Sequence, residues 1–170
     1  MKKIALSRQG KNKDKYFTLV DDEDYEWLSQ WRWYYSNKNK YTGYAVRGVW
    51  NKELKRNKRI WIHREILKPP EGLYCDHING NGLDNRKKNL RTCTSAENQK
   101  NRSMSENNTS GFKGVAWHKP SKKWLVSATF NGKRRHLGRY KSKMEAAKVY
   151  DEFAKKYHGE FAKFNFPKNR

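Results

Sequence analysis

The residues between Tyr74 and Asn98 include a small set whose types and spacing suit chemistry on a phosphodiester. Asp76 offers a hard carboxylate oxygen to a divalent cation. Asn98 offers a carbonyl oxygen to the same ion. Two protein oxygens, completed by water and a substrate phosphate, suit Mg²⁺ or Mn²⁺ better than zinc. His77, next to Asp76, is the candidate general base. An unperturbed imidazole has a pKa of about 6.5 and is mostly neutral near neutral pH, as a group that takes a proton from water must be. The metal would stabilise developing charge and the leaving oxygen.

The elements that must position these groups are short. Leu73-Tyr74-Cys75 reads as a strand and Leu90 to Cys93 as a second one. Between them, Ile78 to Asn89 is dense in Asn, Gly and Asp, which favour turns. Thr94-Ser95-Ala96-Glu97 is a capping box, so a helix is expected from Ser95 with Asn98 in its first turn. Neighbours on a strand point to opposite faces, which gives Asp76 and His77 different tasks. A plain Asp-His pair in a polar loop is ordinarily a solvated turn; the spacing and the capped helix argue for more.

This stretch resembles the HNH nuclease motif, in the form found in phage and intron homing endonucleases. Asp76-His77, the run Asp84-Asn85-Arg86, then Asn89-Leu90-Arg91 and Asn98 carry the resemblance, which covers roughly Ile60 to Arg102. It implies a ββα-metal module with His77 as general base and Asp76 and Asn98 as metal ligands. Asn89 matches the family's middle Asn, which pins the loop carrying the His. His63-Arg64 resembles a pair often found just upstream, where the His touches the scissile phosphate or orients the site. Many members carry His where this chain has Asn98.

Composition narrows the partner. The chain has 170 residues, a mean hydropathy of -1.25 and 35% hydrophobic residues, which favours small modules over one large core. A net charge of +22 implies a polyanionic partner. Aromatic residues make up 14%, too many for a disordered basic tail. An RNA-binding protein would share this balance. With no apolar stretch of membrane-spanning length and no signal-peptide core, an intracellular protein is expected, in a bacterial or phage-infected cytoplasm, and not a secreted one. Cys75 and Cys93 are too few for a four-cysteine zinc site. They fall one on each strand, where they could face each other, and are expected as free thiols.

Upstream, Tyr16 to Val20 reads as a strand and Asp21 to Leu28 as a helix opened by acids, turned away from DNA. Trp31 and Trp33 alternate with Arg32 like a half-buried strand, and Tyr41, Tyr44, Val46, Ile60 and Ile62 continue the β pattern. Asn51 to Lys58 is a basic turn between two strands. The Trp residues are read as core packing in preference to base-stacking platforms. Ile60 to Leu67 runs into Pro69-Pro70, which ends any regular element.

Downstream, Lys100 to Ser110 is polar and reads as a linker. Gly111 to Trp117, Trp124 to Phe130 and Lys133 to Tyr140 read as strands, the last two joined by an Asn131-Gly132 turn. A second capping box, Ser142 to Glu145, opens a helix that stops at Gly159. Gly111 to Lys143 holds ten Lys or Arg and no acid, which makes the sheet the binding face and the helix the back. A β-sheet can present side chains to base edges in a major groove.

This half is similar to an AP2/ERF DNA-binding domain. Gly111-Phe112-Lys113-Gly114-Val115, Lys123-Trp124, Leu137-Gly138, Ala146-Ala147, Tyr150-Asp151 and Asn165-Phe166-Pro167 carry the resemblance. It implies DNA contacts from Lys113, Trp117, His118, Lys119, Ser127, Thr129, Arg134, His136 and Arg139. The plant domains use more Arg and have a Trp where this chain has His136.

The expected class is α+β: an N-terminal small antiparallel β region leading into a ββα-metal nuclease module, then a three-stranded antiparallel sheet packed on one helix. The boundaries are 1–99 with a nuclease core of about 60–102, a linker at 100–110, and 111–167. The expected function is metal-dependent hydrolysis of double-stranded DNA at a recognised asymmetric site by a monomer. The alternative is a sequence-specific DNA-binding regulator carrying an inactive nuclease.

Overall fold

The computed structural model describes residues 1–7, 15–39, 42–105 and 107–167. Tyr41, assigned to the β pattern, and Glu106, assigned to the linker, lie outside them. The chain is mixed α/β, with several small antiparallel sheets and few helices. It divides into two compact units, Met1–Thr94 and Ser95–Arg170. No helix among the described residues is long and apolar enough to cross a membrane.

In the first unit, strands β1 (Lys2–Leu6) and β2 (Tyr16–Val20) pair antiparallel, with Ile4 opposite Thr18. Alternation sends Ile4, Leu6, Thr18 and Val20 inward. Helix α1 (Asp22–Ser29) opens with three acids in its first turn, where the helix dipole favours them. Its Leu28 is buried, and the Leu28 carbonyl accepts a 2.8 Å bond from Trp33 Nε1. Trp33 is 1% exposed and Trp31 48%, so the expected alternating strand through both is replaced by an irregular segment. One indole is a core anchor and the other lies outside.

Strands β3 (Tyr34–Asn39), β4 (Thr42–Asn51) and β5 (Arg56–Trp61) form an antiparallel sheet in the order β3-β4-β5. The core of Ile4, Leu6, Val20, Leu28, Trp33, Ala45 and Ile62 joins both sheets. Helix α2 (Ile62–Leu67) follows β5 directly and ends at Lys68, whose φ of 45° is left-handed, just before the Pro pair. Then come β6 (Tyr74–His77) and β7 (Leu90–Cys93), an antiparallel pair with Asp76 opposite Arg91 and His77 opposite Leu90. The same register sets Cys75 opposite Thr92 and Cys93 opposite Tyr74, so the two thiols take opposite faces of the hairpin and do not face each other. Both are free. Burial pushes the Cys75 thiol up to about 12.

The second unit opens with helix α3 (Ser95–Asn101). Ser110 is buried and its hydroxyl bonds the Val115 carbonyl at 2.8 Å, while Asn108 bonds the Phe112 carbonyl at 2.8 Å. Strands β8 (Val115–His118), β9 (Lys123–Phe130) and β10 (Lys133–Tyr140) form an antiparallel sheet with β9 central. Asn131 and Gly132 both take left-handed φ, at 50° and 71°, as a tight hairpin turn requires. Helix α4 (Lys143–Tyr157) is capped by Ser142, which accepts from the Met144 and Glu145 amides. Val126, Ala128, Ala146, Ala147, Tyr150 and Ala154 pack between sheet and helix. Gly114 has φ 77°, and a Cβ there would lie 2.1 Å from the Tyr150 ring. Only glycine fits that approach.

Candidate active site

His77 closes β6 and is 6% exposed. Its Nε2 lies 3.0 Å from Asn85 Oδ1. Asn85, fully buried, donates its own amide to Thr18 Oγ1 at 2.6 Å, and the Thr18 hydroxyl donates to the Leu83 carbonyl at 2.9 Å. The amide oxygen of Asn85 is therefore the acceptor, Nε2 carries the proton, and Nδ1 holds the basic lone pair. Burial pushes the His77 pKa below the usual histidine value, against the raising effects of the Asn85 bond, Asp76 and Asp84. The ring is neutral at neutral pH.

The loop behind it is a hydrogen-bonded frame. Asn89 is buried; its Oδ1 accepts from the Asn79 amide at 3.0 Å, and its Nδ2 donates to the Asp84 carbonyl at 2.7 Å. Arg86 forks onto both Asp84 oxygens at 2.6 Å, and this bond holds the Asp84 carboxyl below its usual range. The loop is stitched to β2 by Leu19 N to Leu83 O and Asn85 N to Leu19 O, each at 2.8 Å.

Asp76 is 6% exposed and its Oδ2 accepts from Arg91 Nε at 2.9 Å. A cross-strand guanidinium thus offsets the cost of burying the carboxylate. His63, on α2, is also buried, and its ring centre lies 5.0 Å from that of His77 at 78°. Tyr44 lies 5.8 Å from the His77 ring and 5.5 Å from Trp61. Burial raises the Tyr44 pKa, so its hydroxyl stays protonated. The first unit therefore gathers His77, His63 and Tyr44 about one point. Asn98 stands half-buried on α3, in the second unit.

Sequence reasoning assigned no role to Thr18, Tyr44, Asn85 or Arg91. Arg91 and Asn85 lay inside the quoted motif, but nothing local marks their partners. Thr18 is 67 residues from Asn85, and only the fold joins them.

Of the nine DNA-contact candidates, the register puts Ser127, Thr129, Arg134, His136 and Arg139 on the sheet face away from α4, with His118 beside them. Arg134 donates to Ser127 Oγ at 2.8 Å through its terminal nitrogen. His118 Nδ1 lies 2.8 Å from Ser121 Oγ, and Lys119 is exposed in the following turn. Trp117 pairs across the ladder with Trp124, on the α4 side, in a T-shaped contact at 5.0 Å. Lys113 turns inward: its ammonium donates to the Lys100 carbonyl and, at 2.7 Å, to the Arg102 carbonyl. Burial, with Lys163 and Arg102 nearby, lowers its pKa to about 8. Trp117 and Lys113 thus lie away from the face formed by the others, because the pleat and the inward ammonium take them elsewhere.

A family model described as HNH endonuclease matches residues 68–100. Among curated proteins, the chain is 37% identical over 95 residues to Protein 3.8 of Escherichia phage T7, covering 56% of this chain and 78% of that protein. It is 31% identical over 152 residues to an uncharacterized HNH endonuclease of Acanthamoeba polyphaga mimivirus, covering 86% and 73%. No solved structure matches it. The chain belongs to the HNH endonuclease family.

HNH nucleases use a divalent metal ion, and the donors present bear on which one fits. Among the described residues, no three His, Cys, Asp or Glu side chains form a metal-holding group. That does not fit a zinc cage. The buried Asp76 carboxylate is a hard oxygen donor of the kind that Mg²⁺ and Mn²⁺ take.

Proposed function

We propose that the chain is a metal-dependent DNA endonuclease of the homing type, which hydrolyses phosphodiester bonds of double-stranded DNA at a recognised site. The observation that supports it is His77: a buried, neutral imidazole oriented by Asn85 inside the stretch that matches the HNH endonucleases. His77 Nδ1 takes the proton of an attacking water. Asp76 would be an oxygen ligand for a Mg²⁺ or Mn²⁺ ion, and the resemblance to the HNH nucleases assigns Asn98 as a second. Bound there, the ion supplies charge stabilisation at the phosphate and the leaving oxygen. Arg91 keeps the Asp76 carboxylate oriented, Asn89 holds the loop, and His63 orients the site from α2.

In this reading residues 1–99 form the nuclease region, 100–110 a spacer and 111–167 an AP2/ERF-like target-binding domain. Arg134, Arg139, His136, Ser127, Thr129, His118 and Lys119 supply its DNA contacts. The support is the acid-free, exposed basic sheet face, opposite a helix that carries the acids. A monomer on an asymmetric site follows from two different modules.

The test is cleavage of supercoiled plasmid and of a random target library with Mg²⁺ or Mn²⁺ against EDTA. The expected result is metal-dependent nicking or linearisation, reduced about 100-fold or more by His77→Ala with DNA affinity kept. Metal-independent cleavage, or equal cleavage by the variant, would overturn the assignment. Binding without cleavage across the whole library would point instead to a regulator with an inactive nuclease.

A further inference from the structure

The β4–β5 hairpin extends past the sheet that carries it. β3 pairs with β4 only as far as Val46. From Arg47 to Asn51, β4 pairs with β5 alone, through to Asn51 opposite Arg56. Gly48, Val49 and Trp50 are exposed, as are Arg56 to Arg59 across from them. A two-stranded ribbon with both faces in solvent has no core of its own to fill.

Its side chains are unusual for a solvated turn. Residues 51–59 carry Lys52, Lys55, Arg56, Lys58 and Arg59 against one acid, Glu53. Among the described residues, no salt bridge engages any of those five cations. Trp50 is 59% exposed and Leu54 57%. Asn51 Oδ1 accepts from the Leu54 amide at 2.7 Å, which fixes the turn. An ordered, basic, aromatic-tipped ribbon costs stability in an isolated protein and suits a polyanion that also offers apolar surface.

The register selects one face. Alternation puts Tyr44, Val46, Gly48 and Trp50 on the same side of β4, opposite Trp61, Arg59 and Asn57 of β5. The root of that side is Tyr44 and Trp61, whose rings lie 5.6 and 5.9 Å from the ring of His63. One continuous face therefore runs from the histidine pair to the ribbon tip. Gly48 leaves it open: a Cβ there would meet nothing closer than Asn57 at 3.9 Å. The reverse side borders an open trough of about 710 Å³ lined by Trp31, Arg32, Arg47 and Lys58, with the Arg47 guanidinium 4.2 Å from the Trp31 ring centre at its root.

We propose that this ribbon is a DNA-contact element of the nuclease unit, docking in a major groove beside the scissile phosphate with Trp50, Asn57 and Arg59 toward the bases. It rests on the endonuclease reading and adds a contact that the second unit does not provide. Strands about 4.8 Å apart, with side chains, match a major groove about 12 Å wide. Asn and Arg are the side chains that pair with adenine and guanine edges there, and an apolar ring meets thymine methyls. Lys52, Lys55 and Lys58 are placed to neutralise flanking phosphates.

The experiment uses the full chain in EDTA, which removes cleavage from the readout. Fluorescence anisotropy with a duplex library and hydroxyl-radical footprinting are run on wild type, Trp50→Ala/Arg59→Ala, Lys52→Glu/Lys55→Glu and Arg134→Ala/Arg139→Ala. All the altered ribbon side chains are exposed, and thermal melting checks the fold. The expected result is a loss of about tenfold or more for each ribbon variant. The footprint should shrink at one edge, and the salt dependence should weaken by about two units for Lys52→Glu/Lys55→Glu, which loses two phosphate contacts. Ribbon variants within twofold of wild type, while the Arg134/Arg139 variant loses affinity, would overturn the ribbon and leave target binding with the second unit. Loss only in the ribbon variants would uphold it and instead remove the second unit's assigned role. Tighter binding of A-form RNA than of DNA, lost in the same variants, would also overturn it, since that major groove is too narrow for a ribbon.

Discussion

At the scale of single residues, the site turns on a bond 3.0 Å long between His77 Nε2 and Asn85 Oδ1. Burial is the largest influence on His77 and keeps its ring neutral below the ordinary pKa of about 6.5. The Asn85 bond works the other way, since it is strongest to a ring that carries more positive charge. Cleavage should therefore persist as pH falls through 6.5 and decline only at lower pH. Asn85→Asp would set a carboxylate against Nε2 and move that acidic limb upward. Asn85→Ala would move it downward and reduce turnover by about tenfold or more with little change in DNA affinity. A profile of kcat against pH for the three proteins checks this, and identical limbs would mean that His77 does not take the proton.

At the scale of elements, the sequence disclosed what is local. The helix start at Ser95, the Ser142 cap, the Asn131-Gly132 turn and the helix from Lys143 to Tyr157 were legible because each is specified within a few residues. β1 and α2 were not anticipated: five and six residues long, they are held by Ile4, Leu6 and Ile62 in a core assembled from distant segments. Trp31 and Trp33 looked alike, and only the position of α1 makes one a buried anchor. Asp76 and His77 stood out as candidates by type and spacing alone, whereas the partners that the fold gives them, Arg91, Asn85 and Thr18, needed the tertiary structure.

His158, at the end of α4, gives the element scale its own prediction. Its Nε2 lies 3.0 Å from the Thr129 carbonyl, which ties the helix to β9, and its Nδ1 is buried without a hydrogen-bond partner. Burial lowers its pKa, and Lys100 and Lys113 lower it further against the raising effect of the Thr129 bond. The unfolded chain then binds a proton before the folded one does. Stability is fully present above about pH 6.5 and is lost as pH falls from there toward the depressed folded value. His158→Gln keeps a donor for Thr129 but has nothing to titrate. Its melting temperature should drop less than that of wild type between pH 7.5 and 5.5, as followed by circular dichroism; equal drops would remove His158 as the cause.

At the scale of the whole molecule, charge is the dominant property. A net +22 in 170 residues destabilises a compact chain by self-repulsion and is relieved by a polyanion. DNA binding should therefore weaken linearly on a log–log plot against salt, each neutralised phosphate contributing about 0.9 to the slope. If Arg134 and Arg139 both meet phosphates, replacing them with Ala should lower that slope by about two and reduce affinity similarly for all sequences. A contact to a base would act differently, relaxing preference at one position while costing about 1–3 kcal/mol there. Titrations of the double variant across several salt concentrations, on target and random duplexes, separate the two. An unchanged slope with unchanged affinity would mean that the basic sheet face is not a DNA surface.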